Sequence, residues 1–169
     1  MEQIDKISSD AEFINAGRNG RKTSDTTELK AVLNKYPDAD YVLFLLGVND
    51  LKDGNDSMIN ACVKNMKWMI PQVKQKLPSA KIVLMAPCRL NLKDMSDVNK
   101  TKKYNENTQK SLIELGKKYK ALAKEESAGF IDLFNTVSMD NYIDGLHPNL
   151  EGYSQMAHEI WNELNSIFQ

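Results

Sequence analysis

The sequence has few of the residues that build disulfide frameworks or metal sites. Its 169 residues include only two cysteines and two histidines. The cysteines, Cys62 and Cys88, are too few and too far apart for a disulfide framework or a zinc-type cluster. We therefore expect a fold held together by its hydrophobic core, without a structural metal.

The chain also lacks an excess of charge of one sign, a long apolar run and a leader sequence. Its 22 basic and 23 acidic residues give a net charge of −1, whereas nucleic-acid-binding domains usually carry a basic excess. No apolar run approaches the roughly 20 residues that a membrane span needs. Met1 is followed by acidic Glu2 and Asp5 rather than by a basic stretch and an apolar core. We expect no nucleic-acid partner, no membrane span and, from this chain alone, a cytoplasmic location; a leader lost with a longer N-terminus would indicate a secreted or periplasmic protein.

What the sequence contains is typical of one globular domain. Its composition, 41% hydrophobic and 27% charged, is ordinary, and its length suits a single domain over residues 1–169. Nearly all-apolar runs at 40–46 and 80–86 are typical of strands buried on both faces. Shorter runs at 12–16 and 129–133 are two further strand candidates.

Helical segments alternate with these candidate strands, at about 25–35, 57–77, 97–126 and 149–168. Residues 1–7 also have the spacing of the end of a helix. Alternating strands and helices imply parallel strands joined by right-handed crossovers. The sequence therefore predicts an α/β fold, a three-layer α/β/α sandwich with a mainly parallel, flavodoxin-like sheet.

The loop after the last candidate strand contains Asp144-Gly145-Leu146-His147-Pro148. Ligands of a parallel sheet bind outside the carboxyl ends of its strands, which is where this loop belongs. Asp144 can fold back across the glycine to accept a hydrogen bond from the His147 ring, as the orienting carboxylate does in a catalytic triad. The alternative is a surface loop with a capping aspartate and an idle histidine.

Two earlier loops hold groups that could bind an oxyanion. In the Gly-Val-Asn-Asp turn at 47–50, the Asn49 amide would point into the cleft, where a side-chain NH₂ can stabilise developing negative charge. A plain turn is the alternative. In the segment 15–23, Gly17 allows a backbone N–H to approach a ligand closely. A phosphate cradle competes with that interpretation, but the segment lacks the Gly-Lys-Ser/Thr ending of a P-loop.

Taken in chain order, the three loops at 15–23, 47–50 and 144–148 resemble sequence blocks of the GDSL/SGNH hydrolase family. They are most similar to its small arylesterase and acetylesterase branch. The resemblance implies an oxyanion hole that includes Gly17 and Asn49, and a triad that includes Asp144 and His147. It also implies a serine ester hydrolase, an acylhydrolase of short-chain acyl or acetyl esters, with carbohydrate esters among the candidates. Such an enzyme works through an acyl-enzyme and needs no metal or organic cofactor.

The Gly-Asp-Ser block, which carries the nucleophilic serine of that family, is missing from this chain. Ser8 and Ser9 precede Gly17 but follow neither a strand nor a glycine, so no nucleophile is identified. We therefore expect the family's first strand, which is central in its sheet, to be absent from a chain that is N-terminally truncated relative to the family. Three explanations stay open: a truncated product of a longer gene, a strand supplied by a partner or a swapped segment, and a sheet closed up around the gap with an incomplete triad. Unpaired strand edges would then favour self-association.

Three functions remain open at this point. The first is the ester hydrolase, or the main part of one, with a small-molecule ester as substrate. Arg89, which follows the second apolar run, would then be a candidate substrate contact; a surface charge is the alternative. The second is a non-catalytic SGNH-fold binding module, or an inactive truncation that lacks its nucleophile. The third, a flavin or nucleotide binder, has little support because no glycine-rich phosphate loop opens a helix.

Overall fold

A parallel sheet forms the centre of the molecule, seen in a computed structural model that describes residues 11–167. Within these residues the sheet has three strands, β1 (Tyr41–Leu45), β2 (Lys81–Ala86) and β3 (Gly129–Asp132). Their order is β1-β2-β3, and both pairings are parallel. Three of the four predicted strands are thus confirmed, each to within about one residue at either end.

Helices cover both faces of the sheet and complete a three-layer sandwich. They are α1 (Thr26–Lys35), α2 (Asp56–Lys76), α3 (Asp97–Thr101), α4 (Glu106–Glu125) and α5 (Leu150–Ile167), with a short 3₁₀ turn at Met139–Asn141. On one face Ile82 and Leu84 of β2 pack in a core with α1, α2 and α4. On the other face Val83 and Met85 pack against α5. The alternation of side chains along β2 therefore separates two cores, and the predicted α/β/α architecture is confirmed.

The prediction that the first apolar run is buried on both faces is wrong. β1 lies at the edge of the sheet and, among the described residues, pairs only with β2. The side chains at its two ends are exposed to solvent, Tyr41 by 43% and Leu45 by 38%. In the central strand β2, by contrast, every residue after Lys81 is buried.

The predicted strand at 12–16 is not formed. These residues have no regular secondary structure, and Phe13 instead packs edge-to-face on Trp161 of α5, with 6.1 Å between ring centroids. The segment is held by a side-chain stacking contact rather than by a strand partner, so it does not extend the sheet. The helical pattern predicted at 1–7 lies outside the described residues.

The single helix predicted at 97–126 is two helices, α3 and α4. Lys103, between them, has a positive φ of 67°, which no helix interior allows. Asn105 then caps α4 by accepting hydrogen bonds from the N–H groups of Asn107 and Thr108, and the Thr108 side chain completes a capping box. The break places the loop between the helices at the carboxyl edge of the sheet. Among residues 11–167, no helix has the length and apolarity to cross a bilayer.

Candidate active site

Asp144 and His147, called the dyad below, are hydrogen-bonded to each other. His147 Nδ1 lies 2.9 Å from Asp144 Oδ2. The other carboxylate oxygen accepts the backbone N–H of His147 at 2.8 Å and that of Leu146 at 3.0 Å. Three hydrogen bonds therefore fix the carboxylate, and the imidazole remains more than half exposed to solvent. The sequence prediction that Asp144 folds back onto His147 agrees with this geometry.

The electrostatics of the dyad set the tautomer of the imidazole. Burial disfavours the Asp144 carboxylate, but hydrogen bonds from the His147 backbone, the His147 ring and the Leu146 backbone outweigh it and lower the pKa of Asp144 to about 2. An ionised carboxylate only accepts hydrogen bonds, so the neutral imidazole carries its proton on Nδ1. Its Nε2 then has a free lone pair directed away from Asp144, as a general base requires.

A short hairpin at 141–149 holds the dyad in place. Tyr142 forms an antiparallel bridge with Pro148, and the N–H of Ile143 donates to the carbonyl of His147 at 2.8 Å. Gly145, at the tip, has φ +80°, and a Cβ there would lie 2.6 Å from the carbonyl oxygen of Asn91. The glycine is therefore required both by its backbone angle and by the loop packed against it.

Asn49 lies in a tight turn at the end of β1, and both ends of its amide have partners. The turn closes with a hydrogen bond from Asp50 N–H to the Gly47 carbonyl at 3.0 Å. Tyr104 Oη donates to Asn49 Oδ1 at 2.8 Å, and Asn49 Nδ2 donates to the carbonyl of Arg21 at 3.2 Å. The Arg21 carbonyl can only accept, so it identifies the NH₂ end of the amide and leaves the oxygen end to the tyrosine. One N–H of the NH₂ group therefore remains for a further acceptor.

A buried polar network fastens the loop at 15–23 to the turn that carries Asn49. The Asp50 carboxylate accepts hydrogen bonds from Thr23 N–H at 3.1 Å and from Thr23 Oγ1 at 2.6 Å. Asn65 Nδ2 of α2 donates to Thr23 Oγ1 at 3.0 Å. Thr23 is fully buried, so water does not compete for these bonds. The two loops consequently form one unit.

Hydrogen bonds also connect Asn49 to the dyad through α3. Tyr104, whose hydroxyl contacts Asn49, also donates its backbone N–H to the Asn99 carbonyl at 3.1 Å. Asn99 Nδ2 in turn donates to the Asp144 carbonyl at 3.2 Å. Tyr104 and Asn99 are both buried. Neither residue is among the predicted site residues. The buried Asn99 nevertheless links the dyad to Tyr104, and through it to Asn49.

Of the predicted site residues, Gly17 and Arg89 form no hydrogen bond in the structure to the dyad or to Asn49. The Gly17 N–H donates to Asn15 Oδ1 at 2.9 Å, so the group predicted to bind an oxyanion has an internal partner here. Its loop nevertheless lies beside Asn49 through Arg21. The Arg89 side chain contacts Asn135 Oδ1 at 3.4 Å, and the Arg89 carbonyl accepts from Tyr142 Oη at 2.6 Å. Arg89 is thus joined to the dyad hairpin through its backbone.

No nucleophile accompanies the dyad within residues 11–167. In that range no serine, threonine or cysteine side chain is hydrogen-bonded to His147. Burial raises the pKa of the Cys62 and Cys88 thiols to about 12, so both are protonated at neutral pH. Ser8 and Ser9 lie outside the described residues. Those residues also contain no cluster of three or more His, Cys, Asp or Glu side chains that could hold a metal.

The amino-acid sequence matches the model of the GDSL-like lipase/acylhydrolase family over residues 3–155. No curated protein sequence matches the chain. Among solved structures, the fold is similar to a carbohydrate acetylesterase of Sinorhizobium meliloti, with a TM-score of 0.81 and 23% identity over 99% of this chain and 83% of that chain.

Two further solved structures have the same fold. An aryl esterase of M. smegmatis has a TM-score of 0.77 and 20% identity, over 99% of this chain and 83% of that chain. A GDSL-like lipase of Bacteroides thetaiotaomicron has a TM-score of 0.73 and 18% identity, over 98% of this chain and 80% of that chain. Since all three identities are low, these likenesses establish the fold and leave the chemistry to the site itself.

Proposed function

The chain belongs to the GDSL-like lipase/acylhydrolase family, and from that premise we propose that it carries out serine ester hydrolysis on short-chain acyl or acetyl esters. The observation that carries the proposal is the 2.9 Å bond between His147 Nδ1 and Asp144 Oδ2, which leaves Nε2 free as a base. The similar solved structures include two esterases, a carbohydrate acetylesterase and an aryl esterase. An ester of an acetyl or similarly short acyl group is therefore the proposed substrate class.

In the proposed reaction, a serine hydroxyl from outside the described residues attacks the ester carbonyl carbon. His147 Nε2 takes the hydroxyl proton as the new C–O bond forms, and Asp144 stabilises the resulting imidazolium. When the tetrahedral intermediate collapses, the imidazolium gives that proton to the departing alcohol oxygen. Water then repeats the sequence on the acyl-enzyme and releases the carboxylic acid.

Asn49 is the proposed side-chain donor to the oxyanion, because one N–H of its amide has no partner among the bonds described above. Losing one such donor typically costs roughly 10²–10³ in rate. Gly17 would be a second donor if its N–H exchanged Asn15 for the oxyanion. Arg89, whose carbonyl accepts a hydrogen bond from Tyr142 of the hairpin, is proposed as a substrate contact.

The test is covalent labelling of the whole 169-residue chain with a fluorophosphonate, followed by intact mass and peptide mapping. A single adduct on one serine, lost in His147→Ala, supports the proposal, and peptide mapping then names the nucleophile. His158→Ala is the matched control, because His158 is the other histidine and is exposed on α5; it should label normally. An adduct that persists in His147→Ala would contradict the assigned base.

A second candidate function is a non-catalytic module that binds esters or their products. It is favoured by one observation, that no hydroxyl or thiol among residues 11–167 is hydrogen-bonded to His147. If the folded chain forms no adduct and cleaves no short acyl ester, this candidate replaces the hydrolase.

A further inference from the structure

The four most exposed large apolar side chains of the described residues belong to the hairpin, α3 and α5, the elements that carry, contact or directly follow the dyad. They are Ile143 at 73%, Leu150 at 71%, Val98 at 63% and Tyr153 at 46% exposed. We call these four residues the apolar rim. Single exposed apolar side chains are ordinary on any protein surface, but four around one polar pair indicate a binding surface.

Two members of the apolar rim follow directly from the dyad hairpin. The bridge between Tyr142 and Pro148 sets Ile143 opposite His147, and opposite residues of an antiparallel pair project to the same face. Leu150 is the first residue of α5, three positions after His147. Both side chains therefore flank the imidazole, and their exposure is imposed by the same backbone that positions it.

The other two members approach the dyad from α3 and α5. Val98 lies between Ser96 and Asn99, and both of these donate hydrogen bonds to the Asp144 carbonyl, at 3.1 and 3.2 Å. Tyr153 is one helical turn beyond Leu150 on α5, so the two share a face of that helix. The apolar rim thus comes from three elements, the dyad hairpin, α3 and α5.

The chemistry of acyl transfer says which half of the substrate lies there. The imidazolium must donate its proton to the departing alcohol oxygen, which requires a heavy-atom separation of about 2.6–3.2 Å. The first carbons of the alcohol must then lie beside the imidazole, where the apolar rim is. Three of the four rim side chains are aliphatic and offer no hydrogen bonds to sugar hydroxyls, so a sugar bound there would lose most of its hydrogen bonds to water.

We infer that the apolar rim binds the alcohol half of the ester, and that the preferred alcohol is apolar, an aryl or alkyl alcohol rather than a sugar. This inference rests on the proposed function and sharpens it, because the acyl group would lie on the Asn49 side and the alcohol on the rim side. By this inference the chain would differ in substrate from one structural neighbour, which is named a carbohydrate acetylesterase.

The binding experiment needs no turnover. The whole chain, labelled at isoleucine, leucine and valine methyls, is titrated with 2-naphthol, 1-hexanol and methyl β-xyloside. We expect saturable methyl shifts at Ile143, Leu150 and Val98 with the first two alcohols and none with the xyloside. Ile143→Ser and Leu150→Ser should each weaken 2-naphthol binding about three- to tenfold. Ile113→Ser, at an exposed apolar residue of α4, is the matched control and should leave the affinity unchanged.

A turnover experiment compares naphthyl acetate, hexyl acetate and an acetylated xyloside, so that only the alcohol varies. We expect the rim variants to lower kcat/KM for the first two esters relative to the third. Equal binding of the xyloside, or rim variants with unchanged 2-naphthol affinity, would overturn the inference. A lower sedimentation coefficient in the rim variants would also overturn it, because a second copy of the chain would then cover the apolar rim.

The two experiments distinguish failure of the hydrolase proposal from failure of the inference about the apolar rim. If 2-naphthol binds at the apolar rim but no ester is cleaved and no fluorophosphonate adduct forms, the hydrolase proposal fails while the preference of the rim for apolar alcohols stands. If esters are cleaved with a preference for the xyloside, the hydrolase stands and the inference fails.

Discussion

The hydroxyl of Tyr104 donates a hydrogen bond to Asn49 Oδ1 across 2.8 Å, and the opposite end of the Asn49 amide donates to the Arg21 carbonyl, which can only accept. Tyr104 is buried, with Lys52 Nζ 5.4 Å from the centre of its ring. A buried hydroxyl with a single defined acceptor has one orientation available. The NH₂ group of Asn49 is therefore aimed before any ligand arrives, which is what preorganised oxyanion binding requires.

We predict that Tyr104→Phe lowers the free energy of unfolding by about 1–2 kcal/mol, because it leaves Asn49 Oδ1 without its donor. In a double-mutant cycle with Asn49→Ala, the two substitutions should couple by about 1 kcal/mol. Urea unfolding of the four proteins measures this. Tyr119→Phe is the matched control, since its buried hydroxyl donates to the Leu46 carbonyl instead. Additive effects of Tyr104→Phe and Asn49→Ala would show that the bond does not orient the amide.

The low pKa of Asp144 predicts a specific dependence of stability on pH. Its pKa falls from 3.8 to about 2 in the folded chain, so the folded state favours the ionised carboxylate. The resulting stabilisation is fully present above about pH 4 and is lost as the pH falls through about 2. Asp144→Asn should therefore be less stable than the native chain by on the order of 1–2 kcal/mol at pH 6, and the gap should close toward pH 2. Urea unfolding between pH 2 and pH 6 tests this, and a gap independent of pH would contradict it.

The same substitution should change the tautomer of His147. Without an ionised acceptor at Nδ1, Asp144→Asn no longer favours the proton on that nitrogen, and Nε2 is no longer held as the base. If the chain turns over esters, kcat should fall by roughly 10⁴. Nitrogen-15 NMR of the imidazole reads the tautomer directly, without turnover. Retention of the Nδ1–H tautomer in Asp144→Asn would show that Asp144 is not the orienting group.

Gly145 and Gly20 provide a matched pair for the strain in the dyad hairpin. Both have positive φ, +80° and +74°, but a Cβ on Gly145 would meet Asn91 O and Met95 Cα at 2.6 Å, whereas nothing lies within 4 Å of one on Gly20. Gly20→Ala should lower the free energy of unfolding only by the cost of a left-handed backbone for an L-residue, about 1–2 kcal/mol. Gly145→Ala should cost clearly more and should also disturb the His147 imidazole resonances. Equal losses in thermal unfolding would mean that the 91–95 loop moves aside freely.

The sequence predicted the strands well because their signal is local. The apolar runs at 40–46 and 80–86 end where the structure ends β1 and β2, within about one residue. The missing family block predicted unpaired strand edges, and among residues 11–167 β1 is paired on one side only. The apolar run alone could not predict this, because it does not reveal how many neighbours a strand has. The break at Lys103 was missed because the apolar spacing continues across it, although Asn105 followed by Thr108 is a recognisable capping signal.

The candidate site divides in the same way. Asp144 and His147 are three residues apart, so their contact could be proposed from spacing alone. The Tyr104 contact with Asn49 spans 55 residues and the Asn99 contact with Asp144 spans 45. Such pairs are brought together by the order of the strands and the packing of α3, and no local pattern encodes them.

The outer edge of β1 leads to the last prediction, that the chain self-associates. Among residues 11–167, β1 is paired on one side only, and Leu45 at its end is 38% exposed. An open apolar edge is a template for another strand. Sedimentation velocity over a range of concentrations should show reversible association, and Leu45→Lys should shift it toward monomer because a charge at the edge opposes pairing. Ile113→Lys, which places the same charge on α4, should leave the association unchanged. A concentration-independent monomer would exclude this edge as an interface, and equal effects of the two lysines would mean that net charge, not strand pairing, governs the association.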